Sequence, residues 1–222
     1  MIQLRPHNSM NLSTFLSVGN VSARCAVALV SLFVFVSAVS PVITTAYYNA
    51  VSVDTICRTE DQTIEVLLPA NWLYKEQAYK TIGGAEVFYL KLSDQADQGS
   101  RATKGGYVLR STASGIFGLP STITSRLDPR EMVNFYLHQI IRSSMQGKVL
   151  SVKVIERNGE KVYSVEWSYV TSLNRDQIEF IVLDEFIFRG DTVYQSHGVY
   201  ASFRSEIRNT IVRMVQSLKA SK

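Results

Sequence analysis

Asn158-Gly159 lies between two runs of alternating apolar and polar residues, Val149 to Glu156 and Lys161 to Val170, and no other feature restricts the fold as tightly. A two-residue type I′ turn needs positive φ at both central residues, which Asn and Gly tolerate, so the pair predicts an antiparallel hairpin. In its second strand Tyr163, Val165, Trp167 and Tyr169 share one face. The alternation continues through Ile178, Phe180, Val182, Asp184, Phe186 and Phe188 as a third strand, and Arg189-Gly190-Asp191 turns it into a fourth, Thr192 to Tyr200. Four consecutive antiparallel strands are therefore expected in the second half of the chain.

A helix precedes this meander. Asp128 stands at its N-cap, Pro129 at its first position and Glu131 three residues after the cap, a capping box that opens a helix running to about Ser144. Met132, Phe135, Tyr136, Gln139 and Ile140 mark one face, broadened by Val133, Leu137 and Ile141. A second helix, from about Phe203 to Lys219, carries the stripe Ile207, Ile211, Met214, Val215 and Leu218. Upstream, Thr63 to Leu68, Glu86 to Leu92 and Tyr107 to Arg110 read as strands, with Pro69, Asn71 and Trp72 in a turn after the first. The polar segments 93–106 and 111–127 read as loops. This order gives an α+β fold, an antiparallel β-sheet flanked by helices and preceded by an N-terminal hydrophobic helix.

Several of these segments resemble the PsbP superfamily, the extrinsic photosystem II subunit and its thylakoid-lumen relatives. They are IEVLLPANW at 64–72, LDPREMVNFYL at 127–137, NGEKVYSVEWSY at 158–169 and DTVYQSHGVY at 191–200, so the resemblance covers roughly residues 60 to 220. Phe203 stands where the family often has a Trp ahead of its final helix. The resemblance implies an α/β/α sandwich and a non-enzymatic binding or assembly module of a photosynthetic membrane complex, photosystem II, in the thylakoid lumen of a plastid.

The first acidic side chain is Asp54, and ahead of it Arg5 and Arg24 are the only fixed charges. Residues 1–53 therefore read as a targeting leader and 54–222 as one globular domain of the usual size. Within the leader, Cys25 to Val39 has the length of a signal h-region, with small residues suited to cleavage after Ala46. Read from 25 to 48, the same stretch is long enough to stay in a bilayer, with Tyr47 and Tyr48 as interfacial anchors. Ser9, Ser13, Ser17 and Ser22, in a segment free of acids, resemble an organelle transit peptide. The alternative address is a membrane-anchored accessory subunit of a bacterial-envelope or mitochondrial inner-membrane complex, with the domain on the trans side. Of the 23 Lys and Arg residues 21 follow residue 53, against 19 acids, so the domain is near +2 and its basic residues are dispersed among acids. That distribution does not suit a nucleic acid partner.

No nucleophile elbow, Walker A loop, dinucleotide fingerprint or EF-hand loop occurs, and the three histidines His7, His138 and His197 lack metal-ligand spacing. No catalytic residue is expected, and His197 reads as a solvent-exposed or strand-face histidine. Asp184 and Glu185 are adjacent on a strand, so they point to opposite faces; Asp184 lies on the apolar side and requires a partner such as Arg or Tyr from a neighbouring strand. No cofactor is expected. Asp94 and Asp97 are weak candidates for a hard cation, calcium or manganese in the resembled family, although two carboxylates in a polar loop are more often solvated. Recognition by loops points to Arg101, Lys104, Ile116 and Phe117, which combine charge with apolar surface. With Cys25 in the leader, Cys57 is expected as a lone thiol near the surface or in a small buried site.

Overall fold

The computed structural model describes residues 54–80, 84–94, 104–143, 146–173 and 176–220, and the leader with its 25–48 segment lies outside them. Ten strands and four helical segments follow in the order β1 (Thr55–Arg58), β2 (Ile64–Leu68), β3 (Trp72–Lys80), β4 (Glu86–Asp94), β5 (Lys104–Thr112), α1 (Ala113–Phe117), α2 (Ser121–Thr124) and α3 (Pro129–Ser143). Then come β6 (Lys148–Arg157), β7 (Glu160–Leu173), β8 (Asp176–Arg189), β9 (Thr192–Ala201), a 3-10 turn at Ser205–Ile207, α4 (Arg208–Gln216) and β10 (Lys219–Ala220). The main sheet has the order β3-β4-β5-β9-β8-β7-β6, and a smaller one the order β1-β2-β10. Among the described residues no helix is long and apolar enough to cross a membrane.

The meander β6 to β9 forms as its alternation predicts. Asn158 and Gly159 both take positive φ, 54° and 78°, and the strands they join pair from Arg157 opposite Glu160 to Lys148 opposite Ser168. The α3 cap is the reciprocal one its sequence specifies. Glu131 N donates to Asp128 Oδ1 and Asp128 N donates to Glu131 Oε2, each at 2.8 Å. Asp128→Ala removes the acceptor of the Glu131 N–H and strands that helix-end donor, and thermal melts should show a loss of about 1 kcal/mol.

Two cores hold the layers together. On one side of the main sheet, Ile64, Val66, Leu68 and Trp72 pack with Leu90, Leu92 and Val108 and with Ile211, Met214, Val215 and Leu218 of the α4 region. On the other, Met132, Val133, Tyr136 and Leu137 of α3 and Phe117 of α1 meet Val165, Trp167, Val182, Phe186 and Val193. The first layer is possible because two glycines, Gly106 and Gly198, stand directly opposite one another on β5 and β9. A Cβ on Gly198 would lie 2.5 Å from Ile211 Cγ2 and 2.7 Å from Val215 Cγ2, and one on Gly106 would collide with Met214 Cε. Together they form the trough in which α4 rests.

Three local expectations are corrected. The turn after Pro69 holds Asn71 and is closed by Trp72 N donating to the Pro69 carbonyl at 3.1 Å, but Trp72 also opens a nine-residue strand, β3, with its side chain 3% exposed in the core. The segment 111–127 is not a loop: it finishes β5 and then winds into α1, capped by the Thr112 hydroxyl accepting from Gly115 N, and α2. The closing helix is shorter than its stripe suggests, because Ser205–Ile207 is a 3-10 turn and Leu218 to Ala220 leaves the helix to pair β10 with β2.

Candidate functional site

Strand register brings one row of ionisable side chains across the main sheet. Lys75 on β3 stands opposite Lys91 on β4, Lys91 opposite Tyr107 on β5, Tyr107 opposite His197 on β9, and His197 opposite Asp184 on β8. Cross-strand partners share a face, so the row lies on the α3 side. Asp184 is fully buried. Its Oδ1 accepts from Gln195 Nε2 at 2.9 Å and pairs with His197 Nδ1 at 2.8 Å. Its Oδ2 accepts from Trp167 Nε1 at 2.8 Å and from the Tyr136 hydroxyl at 3.0 Å. Tyr136 in turn accepts from Gln195 Nε2 at 3.1 Å, which closes the network. Burial pushes the Asp184 carboxyl upward, but the His197 charge and the donors from His197, Trp167 and Gln195 outweigh it and hold the group below its ordinary range. An ionised Asp184 fixes Nδ1 of His197 as a donor and aims the ring's other nitrogen away from the carboxylate.

His197 stacks on Tyr107, with ring centroids 4.2 Å apart and planes within 8°. Tyr107 also meets Tyr89 at 5.6 Å, and Tyr79 lies beyond it on β3. These tyrosines belong to neither hydrophobic core. Tyr79 and Tyr89 are half-buried, whereas Tyr107 is buried with a hydroxyl that finds no hydrogen-bond partner among the described residues. Burial raises the phenols of Tyr79, Tyr89 and Tyr107, with the Asp184 charge adding to the last, and pushes Tyr169 up to about 12. They are neutral hydrogen-bond donors at physiological pH. The β3-β4-β5 half of this face thus presents half-buried tyrosines around one orphaned hydroxyl, and Lys91 is exposed beside them.

The opposite face carries a second buried carboxylate. Glu185 is 1% exposed and receives a two-pronged contact from Arg157, Nη1 at 2.7 Å and Nη2 at 2.9 Å, while Nη1 also donates to the Gln216 carbonyl at the end of α4. Near the small sheet, Glu76 is 6% exposed and its Oε1 lacks a partner among the described residues. Burial raises the Glu76 carboxyl, with smaller additions from Glu60 and Asp61. A carboxyl titrating higher in the folded chain than in the unfolded one removes stability as pH rises past the unfolded value near 4.3. Glu76→Gln should therefore raise the melting temperature at pH 7 and leave it unchanged below about pH 4, a comparison made by calorimetry at both pH values. Cys57, on β1, is the buried thiol; burial, with a contribution from the Glu76 charge, pushes it up to about 12.

The residues expected from sequence are scattered. Asp94 ends β4, and Asp97 and Arg101 lie outside the described residues. Lys104 is the half-buried first residue of β5. Ile116 and Phe117 are not an exposed apolar pair: α1 turns Phe117 inward, where it is 7% exposed and stacks on Phe188 at 6.0 Å, and Ile116 packs against the same core. His197 is a strand-face histidine but not a solvent-exposed one, at 9%. The partner expected for Asp184 is partly right. It is a tyrosine, from α3, and the remaining donors come from three strand residues. Among the described residues no group of three or more His, Cys, Asp or Glu side chains could hold a metal ion, and both oxygens of Asp184 are occupied by protein donors.

No family model matches the chain, and no curated protein does. Among solved structures, cyanobacterial PsbP (CyanoP) of Synechocystis superposes with a TM-score of 0.52 at 12% identity, covering 77% of this chain and 94% of that one. The chain has a PsbP-like fold. The Ran-binding protein Mog1p of Saccharomyces cerevisiae is similar with a TM-score of 0.43 at 9% identity, covering 75% and 95%. LpqN of Mycobacterium tuberculosis, involved in cell envelope biogenesis, gives 0.39 at 10%, covering 76% and 91%. In PsbP-like terms, the row from Lys75 to Asp184 spans five of the seven strands of the central sheet of the sandwich.

Proposed function

We propose that this PsbP-like chain is a non-enzymatic binding or assembly module of a photosynthetic membrane complex, photosystem II, acting in the thylakoid lumen. The observation that carries the reading is the β3-β4-β5 half of the α3-side face. Tyr79 and Tyr89 are half-buried there, on the same face as Tyr107, whose buried hydroxyl finds no partner among the described residues. Tyrosines with an apolar body and a donor tip suit protein recognition, since they contribute contact area at low entropic cost. The Asp184 network beneath them is a support: with four donors on its carboxylate it locks the His197 ring, and His197 in turn backs Tyr107. The likeness to cyanobacterial PsbP and the acid-free, Ser-containing leader support the compartment.

The test is fractionation of plastids. The chain should co-purify with thylakoids and come off in the salt or carbonate wash that releases lumenal extrinsic proteins, or stay if residues 25–48 are retained. Replacing Tyr79 and Tyr89 together by Ser should preserve the fold by circular dichroism and reduce co-purification with the complex. Absence of the chain from plastids overturns the reading.

A further inference from the structure

Strand β6 is one border of the main sheet and, among the described residues, is paired on one side only, to β7. An open edge of this kind is a template for another strand. Natural edges are shielded with charge, yet here the ten-residue strand exposes Leu150, Val152 and Val154 at 43%, 45% and 51%, with Lys153 between the two valines. Val152 and Val154 stand opposite Val165 and Tyr163, so they carry the apolar rows of the α3-side core out to the border. We propose that β6 pairs antiparallel with β6 of a second copy of this chain, about a two-fold axis through Val152.

The occupant follows from what that axis brings together. It sets Val152 against Val152 of the second copy, and Val154 against the bulged stretch Val149 to Ser151, so the exposed aliphatic groups cover one another. It also sets Lys153 against Ser151. Ser151 stands opposite Glu166 on β7, so Lys153 of the second copy extends the row Ser151–Glu166 and reaches over the short serine toward a carboxylate. Among the described residues Lys153 makes no ion pair. Glu166 keeps 26% of its side chain exposed and has one contact with Arg208, at 3.5 Å. The lysine that would repel a basic strand thus meets a carboxylate in another copy of the same edge, and symmetry makes the pair twice.

Cysteine cross-linking of the full chain tests this. A residue on the two-fold faces itself within disulfide reach, and one two positions along does not. Val152→Cys and Val154→Cys have similar exposure, so under mild copper-phenanthroline oxidation the first should form disulfide-linked dimer about tenfold more than the second, with the wild type as the baseline for Cys25 and Cys57. Adding Lys153→Glu or Glu166→Lys to Val152→Cys should each cut the cross-linked fraction about fivefold, and the two together should restore it. Equal cross-linking at 152 and 154, or no restoration by the charge swap, overturns the proposal.

Discussion

Replacing Asp184 by Asn should cost about 3–5 kcal/mol of stability, the largest loss expected from any change of a single polar atom in this chain. The carboxylate accepts from Gln195, Trp167 and Tyr136 and pairs with His197, all inside a face where Asp184 is wholly buried. An amide at the same place offers one acceptor oxygen and turns two N–H donors toward groups that are themselves donors, so at least two buried hydrogen bonds are lost and their partners stranded. Denaturant unfolding at pH 7 measures the loss. A pH series supplies an independent signature. Because the folded carboxyl titrates below its unfolded counterpart, its contribution is complete above about pH 4 and disappears as pH falls through the folded value. The stability gap between wild type and Asp184→Asn should narrow over that acid range. A constant gap from pH 7 to the acid limb would mean that packing, not charge, sets the cost.

Gly198→Val should be as damaging for a steric reason, with a loss of about 3 kcal/mol or more. The first added carbon already falls 2.5 Å from Ile211 and 2.7 Å from Val215, both fully buried on α4, and neither side chain can move without lifting the helix off the sheet. Gly105→Ala, the neighbouring position of β5 that faces the α3 side of the sheet, is the control. Its new carbon would meet only the Leu92 carbonyl oxygen at 3.7 Å, and the change should stay within about 1 kcal/mol. Equal stability of the two variants in denaturant unfolding would show that α4 does not rest on the glycines as described.

The sequence revealed those parts of the fold in which local chemistry and tertiary packing agree. Asn158-Gly159 has a single favourable turn geometry, and the Asp128 to Glu131 cap is closed by bonds between neighbours, so both were legible without knowing what surrounds them. The strand at Trp72 to Lys80 was not, since its burial pattern comes from pairing with β4 and from the small sheet above it, not from a clean alternation. Phe117 misled for a related reason: a five-residue helix in a Ser- and Gly-containing stretch has no periodicity to read, and its direction is fixed by Phe186 and Phe188 far along the chain. At the site, the alternation already placed Asp184 on the apolar side and implied a partner. Gln195 and His197 fall on the same side of β9, two residues apart, but only register, which no local signal encodes, reveals that His197 is directly opposite Asp184.

The small sheet has a bearing on how the molecule can be held. Asp54, the first described residue, accepts at its carboxylate from the Ala70 N–H and the Arg213 guanidinium, and β10 closes beside β2, so both ends of the described chain emerge in the layer that also contains α4. The tyrosine face lies on the reverse of the main sheet. A tether attached at residue 53 therefore grips the back of the plate and leaves its tyrosines turned outward, and a fusion or surface immobilisation through either end should leave that face open to a partner.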